Sequence, residues 1–392
     1  MRPSSMLACL LFAAAPVFAA IPFDCAGGIS LQRAIDFSLP GETLLLSGTC
    51  LGPVVITSKN LTLSSKSNAI IDGAGKDAVT VNGPARVTLR GLTIQQGKNG
   101  VFGEAGAQLR ILDSNIQNNT LNGIFLEGAS SATISGTSTN QNANNGLDAE
   151  ASSSVILTGK YQSEQNGVFG ININGSSSLT FTQAQVTVLK NTLGVQIGTS
   201  ASAFISDSAT TLSVQSNLTT GLTIVSGAHM VAFGGNIQAT GNGVHGVSID
   251  SKAGLDLDAA AVLTSSDNKQ DGVHLEETSV LTMFNTPAFS GSPGVTTVNA
   301  QNNGMNGVAI LTGSNLTVIH QASINSIGNT ATGIAADNGS SLTLVQSNIT
   351  ANGKDVLLTF ASRGDITTST IGTLTCDATI LLRGDTGLTC PR

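Results

Sequence analysis

Groups able to do chemistry are scarce in this sequence, which makes their spacing easy to follow. Its 392 residues include 24 acidic and 17 basic residues, 4 His, 13 Phe, a single Tyr and no Trp. One set recurs at near-regular intervals. Phe102, Phe125, Asp148 and Phe169 each stand two places after a Gly that is followed by an aliphatic residue. Glu104, Glu127 and Glu150 follow two places after the first three of them. On a strand whose neighbouring positions point inward, these side chains point outward. Phenyl rings beside carboxylates, repeated about 4.8 Å apart, are suited to sugar rings or to Ca²⁺. The bland reading is that Phe102 and Phe169, each followed by Gly, turn inward as core after a one-residue shift of register.

A second set aligns two neighbouring segments, Ser248 and Asp250 against His274 and Glu276. His245, Asp256, Asp258, Asp267 and Asp271 lie nearby in sequence. A His beside carboxylates suits acid–base work or a metal. A solvated acidic face explains the same residues more simply. Among the cysteines no Cys-x-x-Cys or nearby His marks a metal centre, no metal is assigned, and no cofactor is required. Ca²⁺ at the carboxylates is the ion to consider.

The elements that carry these groups are repeats. The phrase Gly-aliphatic-x-aliphatic recurs from Gly100-Val101 to Gly333-Ile334 in steps of 21 to 35 residues, about 26 on average. Asn precedes the Gly by four places at Asn119, Asn142, Asn217, Asn242, Asn268, Asn303 and Asn329. Asn tolerates turn conformations, and stacked amides form ladders. Between the turns, apolar residues alternate with period two, as in Leu109-Ile111, Leu179-Phe181 and Leu342-Leu344, which predicts short strands. One such unit cannot bury its own apolar face, but a stack can. A solenoid of about 26-residue coils follows.

This pattern resembles the right-handed parallel β-helix of the pectin-lyase-like proteins. The resemblance rests on the Asn-x-x-x-Gly-aliphatic repeat and on Leu31-Gln32-Arg33-Ala34-Ile35 followed by Pro40-Gly41-Glu42-Thr43-Leu44. It implies an all-β fold, a single right-handed parallel β-helix of about 12–13 coils with a short N-terminal capping helix. The expected divisions are a cap at 21–50, the β-helix at 51–365 and a C-terminal cap at 366–392. A left-handed β-helix is disfavoured because its hexapeptide period is absent.

Family members include polysaccharide lyases, hydrolases, epimerases and adhesins, so the fold does not name a reaction. The hydrolase motifs Asn-Thr-Asp, Asp-Asp, Gly-His-Gly and Arg-Ile-Lys are missing, as is the Asp-Pro-His motif of the epimerases. The Trp-containing lyase motif cannot exist without Trp. The expectation is a non-enzymatic protein that binds polysaccharide or a cell-surface component through a lateral face. A lyase or hydrolase with an unfamiliar site is the alternative, and a structural spacer is a third reading. The widest repeat step, around Phe284 to Asn299, reads as a surface loop through Pro287 and Ser290–Pro293.

The ends bear on compartment. Residues 1–20, with Arg2 before an apolar run and Ala19-Ala20 after it, read as a secretory signal peptide that would carry Cys9 away. Four cysteines then remain, and proximity pairs Cys25 with Cys50 and Cys376 with Cys390 as disulfides in an oxidising compartment. The expected location is secreted or periplasmic. A pI near 5.0 speaks against nucleic acid as a partner, and no later segment is apolar enough to insert in a membrane.

Overall fold

The computed structural model describes residues 20–286, 294–320, 322–384 and 390. The expected signal peptide, apart from Ala20, lies outside the described residues. So do Pro287 and Ser290–Pro293 of the expected loop.

All but one of the Gly-aliphatic phrases read from the sequence lead into a strand of one parallel sheet, the exception being Gly167-Val168. In Ile124–Leu126 the two aliphatic side chains are fully buried and Phe125 between them is partly exposed, so the alternation points as the sequence predicts. Among the described residues this narrow sheet holds 14 strands, one per coil. That is one or two coils more than the repeat count suggested. The first and last strands, Val54–Thr57 and Leu374–Cys376, lack the Gly phrase and were invisible to it. The remaining walls belong to a 25-stranded parallel sheet.

One coil shows the path. The chain runs through Val101–Glu104, turns into Gln108–Leu112, bends into Asn115–Gln117, and returns to the narrow sheet at Ile124–Leu126. In Ser154–Glu164 the bend is a shift of pairing between Thr158 and Gly159, so one strand rounds the corner unbroken. Rows of buried Leu, Ile and Val fill the interior, with Phe181 and Tyr161 the largest fully buried side chains. Tyr161 keeps its hydroxyl satisfied by a 2.6 Å hydrogen bond with Thr139 Oγ1, as a buried phenol requires.

The Asn residues form a continuous ladder along the turn that enters the narrow sheet. Each Nδ2 donates to the next Oδ1, from Asn119 through Asn142, Asn166, Asn191, Asn217, Asn242, Asn268, Asn303 and Asn329 to Asn352. The links run from 2.9 to 3.3 Å. The backbone N–H of the same residue donates to the same oxygen, for example Asn217 to Asn242 at 3.1 Å. Buried amides are thus paired in both directions, which removes the desolvation penalty of an orphaned group. The anchor Gly has its reason here. A Cβ on Gly221 would lie 2.7 Å from both Asn242 Nδ2 and the Gly246 carbonyl oxygen.

The N-terminal end is covered. Helix Leu31–Phe37 starts at Ser30, whose Oγ accepts from the Arg33 N–H. Leu31 and Ile35 close over the core. Gln32 pairs with both backbone groups of Val55, accepting from its N–H at 2.6 Å and donating to its carbonyl at 3.0 Å. The open edge of the first narrow-sheet strand is therefore capped by a side-chain amide, which blocks pairing with another chain. Both expected disulfides are present, Cys25–Cys50 and Cys376–Cys390, with Cα separations of 4.8 and 5.4 Å. Among the described residues no helix is long and apolar enough to cross a membrane.

Candidate functional site

The outer surface of the narrow sheet brings both sequence-predicted sets onto one line. Pairing along it runs Phe102, Phe125, Asp148, Asn172, Gln196, Thr223, Ser248, His274. The ends of this row are about 34 Å apart at one strand spacing per coil. Glu104, Glu127 and Glu150 flank its first part, and Asp250 and Glu276 flank its last.

Phe169 does not belong to the row. It pairs with Leu193, and its N–H donates to Asn145 Oδ1 at 3.1 Å, which places it before the anchor position rather than after. The true anchor of that coil is Gly170, so Asn172 takes the outward place beside Asp148. Phe102 and Phe125 do point outward. Their rings are stacked on each other, 5.3 Å between centroids and 8° between planes. One face of each ring is therefore covered by the other, and both side chains remain partly exposed.

Asp148 is the most perturbed carboxylate of the row. Only 5% of it is exposed. Asn145 Nδ2 donates to its Oδ2 at 2.8 Å and Asn172 Nδ2 to its Oδ1 at 2.9 Å. Burial pushes its pKa up to about 6; the Asn145 hydrogen bond works against this and the Glu150 charge adds to it. The chain of amides continues outward. Asn172 Oδ1 accepts from Asn174 at 2.7 Å and from Gln196 Nε2 at 3.2 Å. Each amide is thereby held in one orientation.

At the far end His274 Nδ1 lies 2.9 Å from Asp271 Oδ2, and its Nε2 lies 3.3 Å from Glu276 Oε2. Burial opposes a charge on His274, but Asp271 and Glu276 outweigh it and the pKa is raised. His245 stacks on His274 with ring centroids 4.3 Å apart. Its Nδ1 accepts from the Asp271 N–H at 3.3 Å. Burial, then the neighbouring His274, lower its pKa to about 4. Burial also works against the Asp271 charge, yet the hydrogen bonds from His274 and from the Asn306 backbone keep its pKa low. Asp250, read as part of this patch, instead accepts from Ser251 Oγ at 3.3 Å. Nor are the neighbouring aspartates a simple solvated face. Asp258 is buried and holds Thr286 through its N–H and hydroxyl, and Asp256 pairs with His229 at 3.2 Å.

A family model described as a right handed beta helix region matches residues 54–218. The fold of the described residues is a parallel β-helix of 14 coils. Among solved structures this β-helix is similar to two modules from Azotobacter vinelandii. The mannuronan C-5 epimerase AlgE6 A-module shares 14% identity at a TM-score of 0.41, over 86% of this chain and 91% of that one. The AlgE4 A-module shares 15% at a TM-score of 0.34, over 88% of each. Among curated proteins, none matches it in sequence.

Sequence reasoning missed Asn145, Asn172 and Gln196 in the β-helix row, and Asn306 beside the histidines. A signal existed for two of them. The residue just before the anchor Gly is Asn99, Asn122, Asn145, then His245, Asp271 and Asn306, and that column brings His245 and Asp271 together, with His274 standing outside it two places after Gly272. A cavity of about 390 Å³ on the wider sheet, lined by Arg86, Arg110, Gln108 and Ile156 among others, had no such signal.

Proposed function

We propose that this is an exported β-helix protein that binds a polysaccharide along the outer row of the narrow sheet and does not cleave it. The reading is carried by one observation: Asp148, Asn172 and Gln196 form an oriented hydrogen-bonding line, one residue per coil, next to the stacked Phe102–Phe125 pair. The strand spacing of about 4.8 Å is close to the length of one hexose in an extended chain. The partly exposed amides of Asn174 and Gln196, held by buried Asn172, suit sugar hydroxyls, and the exposed parts of the Phe102 and Phe125 rings suit the C–H face of a pyranose. Two disulfides accord with export into an oxidising compartment.

The carboxylates define the ligand. Glu104, Glu127 and Glu150 line one side at like charge, which disfavours a bare polyanion. A neutral or amine-bearing glycan fits without an ion. A uronate polymer would require Ca²⁺ bridging those three residues.

A lyase or hydrolase is the second reading. It is favoured by buried Asp271 holding His274, the arrangement of a base and its orienting group. One experiment separates the two. The protein is incubated with immobilised neutral, amino and uronate polysaccharides, with and without EDTA, and both retention and released reducing or unsaturated ends are measured. The binding reading expects EDTA-resistant retention on a neutral or amino glycan, no product, and at least about tenfold weaker retention of a Phe102→Ala/Phe125→Ala variant. Product above a blank, or retention unchanged in that variant, defeats it.

A further inference from the structure

We infer that His245, Asp271 and His274 form a binding site for a borderline transition-metal dication, with Zn²⁺ the best match. Coil stacking makes the site. His245 and Asp271 occupy the same pre-Gly position in successive coils, and His274 follows Asp271 by three residues, on the strand Val273–Leu275 that the turn at Asp271 enters. Asp271 and His274 are a local i, i+3 pair, and stacking brings His245 to them from the preceding coil.

The geometry suits such an ion. His245 Nδ1 is 3.4 Å from Asp271 Oδ2, and His274 Nδ1 is 2.9 Å from the same oxygen. All three donor atoms lie within 4.8 Å of one another. Donors about 2.0–2.1 Å from a tetrahedral Zn²⁺ stand about 3.3–3.4 Å apart. Small side-chain adjustments therefore bring the three atoms onto one face of a tetrahedron. The fourth position is left to water.

The surrounding groups hold the donors in place. Asp271 is 3% exposed, and its other oxygen accepts from the Asn306 N–H at 3.0 Å and from Asn306 Nδ2 at 2.8 Å. Only Oδ2 is left for a ligand. Glu276 lies at Nε2 of His274, the outer partner that fixes a metal-bound imidazole with Nδ1 free for the ion. Two nitrogens and one carboxylate oxygen select Zn²⁺, Co²⁺, Ni²⁺ or Cu²⁺ over Ca²⁺ and Mg²⁺, which demand six or more oxygen ligands or retained water. The ion displaces the long bond from the Asp271 N–H to His245, and it requires a neutral His274 whose proton sits on Nε2 toward Glu276, so binding weakens as pH falls.

The site is separate from the Phe102–Gln196 segment, and its test does not involve a glycan. Untagged full-length protein, stripped with a chelator, is titrated with Zn²⁺ by calorimetry and with Co²⁺ by absorbance. The expected result is one saturable equivalent, with Co²⁺ showing the ligand-field bands of a four-coordinate site. His245→Gln and His274→Gln each lose that equivalent, and Asn306→Ala weakens it by about 10–100-fold. Asp250→Asn leaves it intact. Melting temperatures measured without metal show which variants are folded, and the two His variants provide independent tests. Absence of saturable uptake, or uptake that persists in folded His245→Gln or His274→Gln, overturns the assignment.

Discussion

Asn172 donates from Nδ2 to Asp148 Oδ1 at 2.9 Å across one coil of the helix. That bond does two things. It fixes the register of the outer row, and it partly compensates a carboxylate that burial would otherwise keep protonated.

The first prediction concerns pH. The folded pKa of Asp148 is about 6, above its ordinary 3.8. The folded state thus holds a proton that the unfolded state has released, and the stability this confers is present at low pH and lost as pH rises from about 4 to about 6. The loss amounts to about 3 kcal/mol at most. Asp148→Asn removes the slope. Urea midpoints of the variant should improve relative to wild type between pH 4 and pH 7; parallel curves would refute the assignment.

A second prediction tests the ladder. Asn242→Ala strips the acceptor from both the N–H and the Nδ2 of Asn217. Two buried donors lose their partner, at about 1–3 kcal/mol each. The midpoint of urea unfolding should fall markedly, whereas Thr223→Ala on the outer row should change it little.

The anchor Gly and the ladder should be coupled. A methyl on Gly221 meets Asn242 Nδ2 and the Gly246 carbonyl, each at 2.7 Å. Gly221→Ala is expected to destabilise by about 1–3 kcal/mol through overpacking. In an Asn242→Ala background part of that strain is relieved, so the double variant should be less impaired than the sum of the singles. Strict additivity would show that the carbonyl alone limits the space.

Tyr161 gives a built-in reporter. It is the single Tyr of a chain without Trp, and it is 1% exposed. Intrinsic fluorescence therefore follows the Thr139–Tyr161 layer of the stack. Tyr161→Phe leaves the Thr139 hydroxyl without its partner and should lower stability by about 1–2 kcal/mol, read by circular dichroism because the fluorescence is lost.

Much of the fold was legible because its causes are local. Period-two alternation and Gly-Asn turns act within a few residues, so the coils, the inward and outward positions, the capping helix at Leu31 and both cysteine pairs could be read in advance. The column was harder to follow where two phrases compete. Gly167-Val168 and Gly170-Ile171 both fit the repeat, and choosing the first put Phe169 in the outer row and hid Asn166 from the ladder. Only Gly170 has the ladder against it, with Asn191 Nδ2 and the Gly194 carbonyl each 2.8 Å from where a Cβ would stand.

By itself the sequence determined a stacked parallel β-helix and the alternation of its faces, since strand and turn preferences are short-range. Tertiary structure decided which residues of different coils share a row, because coil lengths vary and inter-coil hydrogen bonds set the register. That is why Asp148 meets Asn172 rather than Phe169. It is also why His245, 26 residues before Asp271, stacks against His274.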